Sequence, residues 1–202
     1  MLFAPITALD MHIETALDTT RSPWAISFWS WLTTFGDART ITIVSIAFAF
    51  VLWRHRRFAY KAGFAVALFG SLAASYALKL VIERPRPPHP LAAITEPGYS
   101  FPSMHATVSM AAYGFVVFAI WTIMRPRSHR APAALVLAAL ILMIGFSRVY
   151  LGVHYTSDVL GGYLVGAVFL FLGIRVTRAL SAKGRGASRA APSARGARSR
   201  PA

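Results

Sequence analysis

The chain contains no cysteine, which excludes a disulfide framework, a thiolate metal site and a cysteine nucleophile. It is also poor in charge. Only 14% of its 202 residues are Asp, Glu, Lys or Arg, against roughly 25% in a typical soluble domain. Acids are scarcer still, at seven against 21 Lys and Arg, for a formal net charge of +14. Neither a glycine-rich nucleotide fingerprint nor an internal repeat is present. What abounds is apolar: 56% of residues are hydrophobic and the mean hydropathy is +0.54. A soluble fold of this length needs a largely polar shell, so it is excluded, and one small membrane domain is predicted. The basic residues sit in short clusters between long uncharged runs, which argues against nucleic acid as a partner and for membrane lipid. Asp10, Glu14 and Asp18 break the basic-then-apolar order of a secretory leader.

About 20 mostly apolar residues cross a bilayer. Runs at 59–82, 104–124, 132–146 (extending towards 151) and 159–180 qualify, and 40–53 is a short fifth. Ahead of them, Leu2, Ile6, Leu9, Ile13 and Leu17 recur at steps of three or four, with Asp10, Glu14 and Asp18 on another face. This pattern is an amphipathic helix, lying at the interface or packed as an arm on the bundle. Ser22-Pro23 then opens a helix dense in Trp24, Phe28, Trp29 and Trp31, a headgroup-level anchor. The expected fold is an all-α polytopic bundle: about five spans plus one or two N-terminal interfacial helices, with six spans if those two pair. Residues 1–180 form the membrane domain, 1–37 its N-terminal helices and 38–180 its core. Residues 181–202, rich in Ala, Gly, Ser, Pro and Arg, form a disordered basic tail.

Five alternating spans place Arg54, Arg56, Arg57, Lys61, Arg125, Arg127, Arg130, Arg175, Arg178 and the tail on one side, and all seven acids on the other. Positive charge marks the cytoplasmic side. The expected protein is a bacterial inner-membrane protein with a cytoplasmic C-terminus and an acidic periplasmic or extracellular face.

Chemistry gathers on that acidic face. The second span ends in Lys79-Leu-Val-Ile-Glu-Arg-Pro-Arg86-Pro87, the third opens with Phe101-Pro-Ser103-Met104-His105, and the fourth ends in Ser147-Arg148, followed by His154 and Asp158. Ionisable groups at membrane depth are costly and usually functional. Lys79, Arg86 and Arg148 predict an anionic ligand. Ser103 and His105 in the first turn of a helix add open N–H groups and a positive dipole end, a ready phosphate site. One imidazole can attack phosphorus while the other protonates the departing oxygen. Asp158, four residues after His154, can accept its Nδ1–H and leave Nε2 to attack. No carboxylate cluster offers a magnesium site, so the cations take a metal's role in neutralising phosphoryl charge, and no metal or cofactor is expected.

These elements resemble the type 2 phosphatidic acid phosphatase superfamily, whose site is shared with vanadium haloperoxidases and reads K-x6-R-P, P-S-G-H, S-R-x5-H-x3-D. Lys79, Arg86 and Pro87 match the first element; Pro102, Ser103 and His105 the second, with Met104 at the glycine; Ser147, Arg148, His154 and Asp158 the third. The resemblance implies that His154 is the nucleophile that forms a phosphohistidine, oriented by Asp158, and that His105 is the general acid and later the base. It implies Lys79, Arg86, Ser103 and Arg148 as the phosphoryl clamp, with the Met104 backbone N–H still able to donate. A Met104 side chain would crowd the site if that residue needed a positive φ. The implied substrate is a lipid phosphate or diphosphate: undecaprenyl diphosphate, phosphatidic acid or phosphatidylglycerol phosphate. A lipid phosphotransferase with the same site, or a module that binds or transports a phosphate lipid, are the alternatives; halide oxidation belongs to soluble relatives. Glu83 and Arg84 fall outside the pattern, beside the clamp. Tyr99, Phe101 and Tyr150 read as aromatic-belt residues, and His12, His55, His89 and His129 match nothing.

Overall fold

The computed structural model describes residues 4–88 and 96–190, with side chains from 6 to 184 within those stretches. They form seven α-helices and no strand: α1 (Ala4–Asp18), α2 (Pro23–Thr33), α3 (Ala38–Arg54), α4 (Phe58–Ile82), α5 (Met104–Ile123), α6 (Arg130–Tyr150) and α7 (Thr156–Ala190). His89 and the distal tail with Arg195, Arg198 and Arg200 lie outside the described residues.

Among the described residues, four helices are long and apolar enough to cross a membrane: α4, α5, α6 and α7. The short fifth span behaves differently from the expectation. With 17 residues, α3 meets the requirement only together with α2, to which it joins through a 3-10 turn at Thr34–Gly36 and a bend of 43°. The pair bends because α2 is held at one end of the bundle: Trp29 packs edge-on against Phe146 at 4.9 Å and lies 5.8 Å from Tyr150, in the last turns of α6. Ser22 caps α2 by accepting the Ala25 N–H at 3.3 Å, with Pro23 in the first turn. From the bend, α3 carries the chain to the opposite end, where Arg54, Arg56 and Arg57 begin the return along α4.

The core lies where α4, α5 and α6 meet, around Phe64, Leu68, Val108, Phe115, Ile141 and Ile144. Crossing helices in lipid gain no hydrophobic drive toward one another and rely on close backbone contact. The α4–α7 crossing shows this. A Cβ on Gly63 would stand 2.4 Å from the Gly173 carbonyl oxygen, and one on Gly173 would stand 2.4 Å from the Gly63 oxygen.

Helix α1 lies across the bundle end where α6 stops and α7 starts. Asp10 and Glu14 are buried on it, and the partly buried Ile13 and Leu17 pack against Ala106, Val149 and Val159, while Ile6, Leu9 and Asp18 are exposed. Asp10 faces inward because of Arg84, whose buried guanidinium meets it at 2.8 Å. A buried charge needs a partner more than Leu9 needs cover, above all beside lipid. The backbone of α7 stays helical ten residues past the expected end at Leu180.

Candidate active site

One end of the bundle collects the ends of α4 and α6 and the starts of α3, α5 and α7. Helix α4 stops because Glu83 turns left-handed (φ 50°, ψ 32°) while its N–H still bonds the Lys79 carbonyl at 3.1 Å. That turn redirects residues 84–88 across the helix ends. Residues 151–155 fold back over Arg148, whose carbonyl accepts the Val153 and His154 N–H groups at 3.2 and 3.3 Å, with Gly152 supplying the positive φ of 68°.

His154 is 3% exposed and stands between two carboxylates. Its Nδ1 lies 3.4 Å from Asp158 Oδ2, and its Nε2 lies 3.3 Å from Arg86 Nη1 and 3.9 Å from Glu96 Oε2. Burial pushes this imidazole down to about 3; Arg148 and Arg86 act the same way, and Asp158 pulls against them. The ring is therefore neutral around pH 7, with an available lone pair. Asp158 is fully buried and also accepts the Tyr155 N–H at 3.0 Å and Arg84 Nη1 at 2.6 Å.

Two guanidiniums converge from the other side. Arg86 donates to the carbonyls of Gly98 and Val153 at 3.0 and 2.9 Å and lies 3.3 Å from Glu96 Oε2. Burial lowers its pKa, yet it remains a cation. Arg148, 1% exposed, donates to Thr33 Oγ1 at 2.8 Å and through Nη2 to the Glu96 carboxylate. The Arg148 Nε and the Ser103 Oγ are buried without a hydrogen-bond partner among the described residues. Two such orphaned polar atoms beside two cations fit an anion with several oxygens.

Ser103 ties the second motif to the third, since its N–H donates to the Asp158 carbonyl at 2.9 Å. The N–H groups of Met104, His105 and Ala106 precede the first intrahelical bond, Thr107 N–H to the Ser103 carbonyl, and stand at the positive end of α5. Met104 itself is helical; among the described residues only Arg56 and Glu83 are non-glycine with positive φ, so the crowding expected from that conformation does not arise. His105 pairs through Nε2 with Asp37 Oδ1 at 2.7 Å.

Two motif residues sit differently from the rest. Lys79 Nζ donates to the carbonyls of Tyr99 (2.7 Å) and Ser100 (3.4 Å), so it holds the strand of chain that leads into α5. Ser147 Oγ donates back to the Ile144 carbonyl within α6 at 2.5 Å and takes no place among the site groups. Three residues outside the motifs do. Glu96 joins Arg86, Arg148 and His154; Arg84 joins Asp158; Asp37 joins His105. Of these, only Arg84 carried a sequence signal, its place two residues before Arg86. Tyr150, read as an aromatic-belt residue, is buried, and its hydroxyl donates to the Thr20 carbonyl at 2.9 Å.

Beside the site, between α3, α4 and α5, runs a cavity of about 570 Å³. It begins at Glu96, Met104 and His105 and ends at Lys61, near the opposite end. Its walls are one face of α3 (Ile41, Ile46, Ala49) and one of α4 (Phe64, Leu68, Leu72).

The sequence profile of the PAP2 superfamily matches residues 60–181. The chain belongs to the PAP2 superfamily. Among PAP2 relatives, phosphatidylglycerophosphatase B of Bacillus subtilis is 27% identical over 170 residues, 83% of this chain and 82% of that one. A putative undecaprenyl-diphosphatase of Escherichia coli is 33% identical over 161 residues, covering 73% and 71%. The crystal structure of the transmembrane PAP2-type phosphatidylglycerolphosphate phosphatase from Bacillus subtilis superposes with a TM-score of 0.78 at 25% identity, covering 89% of this chain and 88% of that one. The crystal structure of Aquifex aeolicus LpxE shares the fold at a TM-score of 0.64 and 20% identity, covering 83% of this chain and 95% of that one. The chain is thus an integral membrane hydrolase of the PAP2 phosphatase type.

Proposed function

We propose that this protein hydrolyses a lipid phosphate monoester or diphosphate without a metal, through a phosphohistidine on His154. The observation that carries the lipid part is the cavity between α3 and α4. An apolar groove at membrane depth that begins at His105 and Glu96 suits a hydrocarbon tail whose phosphorylated head lies among Arg86, Arg148 and Ser103. The wall residues of α3 span 38–49, a length of roughly 17 Å at the rise of a helix. The names of the relatives supply two candidates, undecaprenyl diphosphate and phosphatidylglycerol phosphate, and the motif resemblance adds phosphatidic acid.

The chemistry follows from proton positions. His154 Nε2 attacks phosphorus; Asp158 accepts the Nδ1–H and stabilises the cationic ring that forms. The bond to the leaving oxygen breaks as His105 delivers a proton to it. Water, deprotonated by the same His105, then attacks the phosphohistidine and releases inorganic phosphate with His154 restored. Arg86, Arg148, the Ser103 hydroxyl and the first N–H groups of α5 stabilise the equatorial oxygens in both steps. Glu96 now lies on the two guanidiniums that the phosphoryl group needs, so substrate must displace its carboxylate.

The positive charge at the opposite end supports a periplasmic or extracellular site and a cytoplasmic C-terminus. Residues 1–180 are proposed as the catalytic domain, with the basic tail reaching anionic lipid.

The test is phosphate release in detergent with excess chelator, comparing wild type with His154→Ala on a polyprenyl diphosphate and on phosphatidic acid. Release by wild type and its loss in the variant is expected. Release that the chelator abolishes overturns metal independence, and release that His154→Ala retains overturns the phosphohistidine.

A further inference from the structure

Asp37 occupies the N-cap position of α3, with extended backbone (φ −68°, ψ 153°). An Asp there normally turns its carboxylate back onto the N–H groups of its own helix. Here it makes no side-chain cap bond. Its Oδ1 points to His105 Nε2 at 2.7 Å instead. The backbone is shaped for this contact. The break between α2 and α3 brings Gly36 so near α5 and α6 that a Cβ there would stand 3.0 Å from His105 Cδ2 and 2.7 Å from Ile144 Cγ2. The imidazole bond, with help from Arg148, holds the Asp37 carboxyl below the usual carboxylate range, so Asp37 is an ionised acceptor.

We infer that Asp37 is a positioning residue for His105. It accepts Nε2–H, fixes the ring's orientation and tautomer, and leaves Nδ1 as the nitrogen that exchanges a proton with the leaving oxygen and then with water. The site thus holds two carboxylate–imidazole pairs of opposite sense. Asp158 takes the Nδ1 side of His154 and leaves Nε2 to attack phosphorus. Asp37 takes the Nε2 side of His105 and leaves Nδ1 to move protons. The inference rests on the proposed role of His105 as general acid. It adds the residue that makes the role possible.

A residue that serves proton delivery matters in proportion to the basicity of the leaving group. A diacylglycerol alkoxide cannot leave without a proton, whereas a nitrophenolate can. The experiment measures kcat/KM, which covers only the steps up to departure of the leaving group and so excludes the water attack common to both substrates, on phosphatidic acid and on p-nitrophenyl phosphate for wild type, His105→Ala, Asp37→Asn and the double variant. Asp37→Asn keeps the size and capping ability of the side chain, and a ratio of two rates from one preparation does not depend on the folded fraction. We expect His105→Ala to lose roughly 10²- to 10⁴-fold on phosphatidic acid and far less on the aryl ester. Asp37→Asn should lose roughly 10- to 100-fold on phosphatidic acid, part of the same contribution, and less than about 3-fold on the aryl ester. On phosphatidic acid the double variant should be no worse than His105→Ala, because both act through one proton.

Equal losses on both substrates for Asp37→Asn, wild-type turnover of phosphatidic acid, or additive losses in the double variant would each overturn the inference while leaving His105 in its role. A His105→Ala enzyme that loses both substrates equally would instead remove the general-acid reading, and the Asp37 inference with it.

Discussion

Arg84 joins the catalytic end of α7 to the N-terminal helix: its Nη1 lies 2.6 Å from Asp158 Oδ1 while its Nη2 lies 2.8 Å from Asp10 Oδ2. All three side chains are almost wholly buried. The guanidinium face also covers the Tyr155 ring, 4.2 Å from its centroid. One cation therefore neutralises two carboxylates from helices at opposite ends of the chain.

Removing that cation leaves two buried carboxylates facing each other. Arg84→Ala is expected to cost about 3–5 kcal/mol, the usual loss when one partner of a buried pair is deleted. It should also release α1 and misplace Asp158 behind His154. Asp10→Asn should cost less, because Arg84 retains Asp158. Thermal unfolding in detergent checks both. An Arg84→Ala protein that melts with wild type would show that the three charges contribute nothing net.

His154 makes stability depend on pH in a definite direction. Its folded-state value of about 3 lies below the ordinary 6.5, so between those limits the unfolded chain binds a proton that the folded one refuses. Stability is complete above about pH 6.5 and falls as the pH is lowered toward 3, by at most about 1.4 kcal/mol per unit. His154→Gln, which cannot titrate, should flatten that part of the melting-temperature profile between pH 6.5 and 4.5. A slope unchanged by the substitution would place the titrating group elsewhere.

How far these groups could be read in advance depended on their separation along the chain. The four long spans were legible because apolar length is local, and the motif residues because Lys79–Arg86, Ser103–His105 and Arg148–Asp158 each fall within a short stretch; that Lys79 would bond the Tyr99 and Ser100 carbonyls was not. Asp37 and Glu96 were not. Asp37 meets a partner 68 residues away and looks, at the head of an apolar run, like an ordinary cap. Glu96 meets Arg148 across 52 residues. Asp10 looks on sequence like part of a separate polar face because its counter-ion, Arg84, is 74 residues distant. Within a helix, periodicity reports which residues share a face; it does not report which face meets a buried cation.

The absence of cysteine gives a direct route to the orientation. Thr19 is exposed at the site end and Ser128 at the opposite end. Thr19→Cys should react with a membrane-impermeant maleimide in intact cells, or in spheroplasts where an outer membrane intervenes. Ser128→Cys should react only after permeabilisation. The reverse pattern would place the site in the cytoplasm and overturn the assignment from positive charge.

Met104 offers a handle on the tail-binding groove. It is the first residue of α5, is partly buried, and lines the cavity next to His105 where the groove opens. Since its backbone is helical, glycine there relieves no strain, and its effect should come through the space vacated. Met104→Gly widens the mouth just below the phosphoryl site. It should therefore alter the ratio of turnover between a polyprenyl diphosphate and phosphatidic acid by about 10-fold or more, the scale on which apolar pockets discriminate neighbouring shapes. The N–H of residue 104 survives the substitution, so inhibition by inorganic phosphate, which has no tail, should stay within about 3-fold of wild type, well under the 1.4 kcal/mol that a tenfold change represents. A variant with the wild-type ratio would show that Met104 does not face the substrate tail. A large loss of phosphate affinity would instead mean that its side chain, and not its backbone, supports the anion.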